Sequence, residues 1–341
     1  MPRHKDLFAS VVADHRLHPQ FRALRDSVVH AEARALMSTF YKRMGDPNGN
    51  FVDDFQADGF HSRLFELACF AYLEEAGMKL DRTDEAPDFL ASRTGTCIAI
   101  EATTANPPTG RATDICALKM EQLSMNEISE KVEVEFPRRM RSILRKKLER
   151  QYHKLPQCQG KPLVLMVAPF FEAGATFYTD EALIDSLYRN SGNAKAFFLD
   201  PNAAAISAVV YCNAFTVPRF FRLATRLDEK TGMNAIRKGT CYEQYSETQF
   251  SSREFEHCLG STSVPRETWS EGVTLFLNPN ASTPIPPGFL PNTSTLSVRG
   301  GYLIREVHGF HPVTSFMVVE VSADRSKLPW NPMKTGNARR L

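Results

Sequence analysis

FHSRLFELACFAYLEEAG at residues 60–77 and APDFLASRTGTCIAIEATT at residues 86–104 read as a helix followed by two strands, and three of their carboxylates, Glu66, Asp88 and Glu101, fall where apolar residues are expected. At 100° per residue, Glu66 lies between Cys69, Phe70 and Leu73, near the middle of the helix's apolar face. Such a carboxylate points inward. Left unpaired there it would be protonated or strongly destabilising, so a partner is expected. Gly77 closes this helix at the C′ position. In the second segment Glu101 ends an apolar run, sharing a strand face with Thr103 while Ile98, Ile100 and Ala102 take the other. Asp88 follows Pro87 at the head of a shorter apolar stretch. A turn carrying Arg93, Thr94 and Gly95 would fold the two stretches into a hairpin and bring Asp88 near Glu101. Neighbouring carboxylates repel unless a cation lies between them, and hard oxygen donors of this kind suit Mg²⁺.

Upstream, residues 1–44 read as helical and GDPNGN at 45–50 breaks the pattern. Downstream, residues 112–135 are of mixed, helical character, and Pro137 precedes a basic helix over 138–155. Its apolar stripe is Met140, Ile143, Leu144, Leu148, Tyr152 and Leu155, and Lys147 and Gln151 fall within that stripe. Polar groups aimed at a sheet need a reason. Placement beside the carboxylates is one, and snorkelling of Lys147 into solvent is the other. Arg138, Arg139, Arg141, Arg145, Lys146 and Arg150 lie outside the stripe. They suit a phosphate backbone, or equally a solvated helix face. Arg219, Arg222 and Arg226, spaced three and four apart, read either as a second phosphate-contacting face or as a surface salt-bridge row.

LVLMVA at 163–168 and AISAVVYC at 205–212 read as buried strands flanking a helix near 181–188. The order of elements predicts an α/β domain with a mixed central sheet flanked by helices. Past residue 213, TLFLNPNA and SFMVVEVS look like strands, PNASTPIPPGFLPN like an extended loop, and the last residues like a poorly ordered tail. Phe170-Phe171, Phe197-Phe198 and Phe220-Phe221 read as core.

The net charge of +2 leaves polyanion binding to local clusters of cations. No apolar run is long enough to span a bilayer and the first residues lack a signal-peptide segment, so a cytoplasmic protein without membrane contact is expected. The seven cysteines are scattered without a C-x-x-C pair, which argues against a disulfide framework and structural zinc. A phosphate-binding loop, a nucleophile elbow and an H-E-x-x-H helix are all missing.

The helix Glu, the strand Asp and the following strand Glu together resemble the PD-(D/E)XK, or restriction-endonuclease-like, nuclease superfamily over roughly residues 55–215. The resemblance divides the chain into an N-terminal helical region (1–50), a nuclease-like core (51–215) and a C-terminal region (216–341) packed on that core. It implies a metal-dependent endonuclease acting on DNA in phage defence or restriction, working as a homodimer to cut two strands. It places Mg²⁺ or Mn²⁺ on Asp88, Glu101 and the Ala102 carbonyl, with Glu66, Lys147 and Gln151 completing the catalytic set. The superfamily's motif Lys would stand at Thr103, and Lys147 is the expected substitute. Two other readings stay open: a nuclease-like protein that binds nucleic acid or acts as a scaffold without cutting, and an α/β enzyme whose acids hold a metal for other chemistry.

Overall fold

The computed structural model describes residues 5–107, 115, 124–190, 195–224, 233–246 and 249–321. Its first elements are four helices, α1 (Pro19–Asp26), α2 (Ala31–Met44), α3 (Phe51–Gln56) and α4 (Phe60–Glu75). Ahead of α1 the described residues hold only one 3₁₀ turn, Asp14–Arg16, which corrects the helical reading of the first part of residues 1–44. From Leu64 to Leu73 every residue of α4 is buried. A helix that is buried all round sits between layers, and α4 packs on α2 and α3 and on the sheet. Gly77, at φ 74°, ends it, with the Met78 N–H returning to the Leu73 carbonyl at 3.2 Å.

Three strands follow, β1 (Lys79–Asp81), β2 (Phe89–Arg93) and β3 (Thr96–Thr104). Then come α5 (Met125–Ser129), a π-helical turn, α6 (Phe136–Glu149), β4 (Leu163–Ala168), α7 (Ile184–Tyr188), β5 (Ala208–Tyr211) and α8 (Val217–Ala224). The remaining strands are β6 (Met233–Ser246), β7 (Gln249–Cys258), β8 (Thr274–Leu277), β9 (Ser294–Arg299), β10 (Tyr302–Glu306) and β11 (Pro312–Val321). Among the described residues no helix is long and apolar enough to cross a membrane.

The protein is mixed α/β, built on an eight-stranded sheet in the order β1-β2-β3-β4-β5-β8-β9-β10. β3, β4 and β5 run parallel, β1 and β2 join antiparallel, and β8 joins β5 antiparallel. Strands from beyond residue 215 therefore continue the same sheet. Strand alternation sorts the core into two layers. Ile98, Ile100, Val164 and Met166 face α4 and the N-terminal helices. Ala99, Leu163, Leu165 and Val167 face α6 and α7. The three Phe pairs are buried, as their sequence suggested.

β6, β7 and β11 form a separate antiparallel sheet, and buried Asp180 ties it to the large one. Its carboxylate accepts from Tyr242 Oη at 2.9 Å, Thr274 Oγ1 at 2.7 Å and Arg305 Nη1 at 2.6 Å. His311 stacks on Tyr242 nearby. Burial, helped by Arg305 and opposed by Asp180, pushes His311 from 6.5 down to about 4. The unfolded chain then binds the extra proton between those two values, so stability falls as pH drops from 6.5 towards 4. At 1.36 kcal/mol per unit the loss is roughly 3 kcal/mol. Urea unfolding across this range should show that slope, and His311→Gln should flatten it; an unchanged slope would remove His311 as its source.

Candidate active site

The hairpin ladder between β2 and β3 stops at the pair Phe89–Ile100. One step further, the Asp88 side chain replaces the strand, and its Oδ2 accepts the Ala102 N–H at 2.8 Å. The N–H and C=O of one strand residue point to the same side, so the Ala102 carbonyl also faces the Asp88 side, beyond the end of the ladder. Asp88 is half-buried. Burial, Glu101 and Glu66 push its carboxyl well above the usual range, against the opposing pull of the Ala102 N–H and Lys147.

Glu101 lies one residue earlier in β3 and projects to the opposite layer, against α6, with 6% of its surface exposed. Its Oε1 accepts from Lys147 Nζ at 2.6 Å and from Tyr152 Oη at 2.7 Å. Lys147 thus reaches the acidic site from α6, while Thr103 lines the neighbouring cleft. Among the described residues, Asp88 Oδ1 and Glu101 Oε2 accept no hydrogen bond.

Glu66 is 4% exposed, as its wheel position implied, but it belongs to α4, in the layer across the sheet from Glu101. Its oxygens are taken by Arg63 Nη1 at 2.8 Å and by Arg82 Nη2. Arg82 in turn donates to the Asp88 carbonyl at 3.2 Å and the Gly45 carbonyl at 3.1 Å. Asp88 stands near both other carboxylates: it lines one pocket with Glu66 and its carboxyl feels the charge of Glu101 as well as of Glu66, while Glu66 also ties down the Asp88 strand through Arg82. A pocket of about 220 Å³, lined by Glu66 and Asp88 together with Asn48, Asn50, Arg63 and Arg82, opens this edge to solvent.

Gln151 is a second correction. The helix expected to run to 155 ends at Glu149, and Gln151 sits just past it in left-handed conformation at φ 53°, exposed and accepting from Lys154. The residue that reaches Glu101 is Tyr152, assigned from sequence to the apolar stripe. The available signal was its hydroxyl, which needs a partner when the ring is buried.

The six α6 cations do not form one surface. Arg138, Arg139, Lys146 and Arg150 join Lys147 along a cleft of about 1000 Å³ beside Asn106. Arg139 donates to the Asn106 carbonyl at 3.0 Å and lies over the Phe171 ring. Arg145 lines a different cavity, and Arg141 is half-buried with its Nε sealed and without a hydrogen bond. Helix geometry explains the split, because residues four apart share a row and 141/145/149 is a different row from 138/142/146/150. Arg219 and Arg222 of the second arginine row do not form an exposed helix face. Arg219 is fully buried and Arg222 nearly so, both bound to Glu267, and Arg226 lies outside the described residues.

Among the described residues, no group of three or more His, Cys, Asp or Glu side chains is placed to hold a metal ion. Two carboxylates and a carbonyl fit a cation that keeps most of its waters, such as Mg²⁺ or Mn²⁺, and do not fit structural zinc. No protein-family model, curated protein or solved structure matches the chain.

Proposed function

We propose that this chain is a metal-dependent nuclease hydrolysing phosphodiester bonds in DNA, with α4, the β2–β3 hairpin, α6 and β4–β5 as a restriction-endonuclease-like core. The observation that carries the reading is Lys147 Nζ lying 2.6 Å from Glu101 Oε1, next to Asp88 and at the head of a cation-lined cleft. A Mg²⁺ or Mn²⁺ ion held by Asp88, Glu101 and the Ala102 carbonyl would polarise the scissile phosphate and acidify a water. Tyr152 fixes Glu101 Oε1, and the other oxygen would be available to hold the cation. Lys147, held by Glu101, orients the attacking water and offsets the negative charge that develops on the phosphate. Arg138, Arg139, Lys146 and Arg150 hold flanking phosphates, so binding weakens as salt rises. A pair of copies would cut both strands, and a place in phage defence or restriction follows from the resemblance.

Plasmid nicking assayed with Mg²⁺, Mn²⁺ and EDTA tests the reading. Lys147→Met is expected to slow cutting by about 10²–10³-fold with DNA affinity little changed. Cutting that survives EDTA, or a fully active Lys147→Met variant, would overturn it. A second reading, a nuclease-like protein that binds nucleic acid or acts as a scaffold, draws on the pairing of Glu66 with Arg63 and Arg82 and of Glu101 with Lys147. Those acids are balanced without a metal. Salt-sensitive DNA binding with no cutting in any metal would support it.

A further inference from the structure

We infer that the cavity between α2, α8 and the β6–β7 edge of the small sheet is a second binding site, one that takes a small phosphorylated ligand. It lies on the α4 side of the large sheet, away from the Lys147 cleft. Its volume of about 730 Å³ is in the range of small-molecule sites.

The floor is cationic and incompletely partnered. Arg222, 8% exposed, gives Nε and Nη2 to Glu267 at 2.7 and 2.9 Å, while its Nη1 has no hydrogen bond among the described residues. Arg237, 4% exposed, gives Nη1 to Glu271 and Nε to Ser315. Its Nη2 is buried without a hydrogen bond, although Glu267 is 3.5 Å away. The acids nearby do not close this deficit. Glu267 is occupied by Arg219 and Arg222, Glu32 is exposed on the α2 wall, and Glu75 binds the Trp269 N–H on the far side of the cluster. Burial lowers Arg237 to about 10, and an arriving anion would reverse that shift.

The opposite wall adds donors suited to phosphate. The loop after β7 brings Ser261, Thr262 and Arg266 to the cavity, with His257 at the strand end. Among the described residues exposed Arg266 makes no ion pair or hydrogen bond. Buried guanidinium N–H groups left unmet are unfavourable, and an anion in this cavity would relieve that. A tetrahedral oxyanion can meet guanidinium and hydroxyl donors arriving from several directions.

Titration calorimetry of the full chain with pyrophosphate in EDTA tests the site. We expect one equivalent to bind, with affinity at least about tenfold weaker in Arg266→Glu and unchanged in Lys146→Glu, which alters the other cleft. Arg266 is exposed, so the variant is expected to fold, and its urea midpoint checks that. Wild-type binding weaker than about 10 mM, binding insensitive to Arg266→Glu, or binding lost in Lys146→Glu would each overturn the inference.

Discussion

Asp88→Asn is expected to reduce metal-dependent cleavage by about a thousandfold, the equivalent of roughly 4 kcal/mol of transition-state stabilisation, without unfolding the chain. Asn keeps an oxygen for the Ala102 N–H, so the link at 2.8 Å survives while the charge is lost. The charge is a liability to the fold on its own. Burial and the neighbouring Glu101 and Glu66 raise the folded carboxyl above its ordinary 3.8. A group raised in this way makes folding less favourable once pH passes the unfolded value, and the loss grows until the folded group ionises. The variant should therefore match or exceed the parent in stability at neutral pH. A divalent ion on the parent's pair should reverse the deficit. At a hundredfold excess over its dissociation constant, Mn²⁺ should stabilise the parent by about 2.7 kcal/mol and the variant by little. Denaturant unfolding with and without Mn²⁺ measures both effects. Equal stabilisation of the two proteins would move the cation away from Asp88.

Glu267→Gln is expected to give the largest loss of stability, roughly 3–5 kcal/mol, the usual consequence of stranding buried charges. The carboxylate sits 2.8 Å from Arg219, 2.7 Å from Arg222 and 3.5 Å from Arg237. Burial alone would raise its pKa, but the three guanidiniums win and hold it at about 2. Its contribution is present above the ordinary 4.5 and is lost as pH falls towards 2. Gln has nearly the same shape, so packing is conserved and the measured change reports the charge. These ion pairs join α8 to β6 and to the segment before β8, so the small sheet should loosen first. A denaturant midpoint shift worth less than about 1 kcal/mol would show that the cluster is not a latch.

The periodic parts of the chain were readable in advance. The α4 helix, its Gly77 stop, the β2–β3 hairpin and the alternation along β3 follow from spacing, since helix and strand geometry act over a few residues. The reading failed where the chain ends a helix without a signal. Neither Gly nor Pro marks the end of α6, and Gln151 takes a left-handed conformation that few non-glycine residues adopt. The long β6–β7 hairpin also escaped notice. Its sequence, with Arg237, Lys238, Glu243, Arg253, Glu254 and Glu256, lacks the apolar alternation of a strand covered on one face.

Which way each carboxylate points was legible in the sequence alone: Glu66 inward from its helix, and Glu101 on the face opposite Ile98 and Ile100. Which groups those carboxylates meet was settled only by the assembled layers. The sheet separates Glu66 from Glu101, and Arg82 and Tyr152 approach from elements whose positions depend on packing. Periodicity sets a side chain's direction relative to its own element, whereas its partner is set by how distant elements stack, and no local rule carries that information.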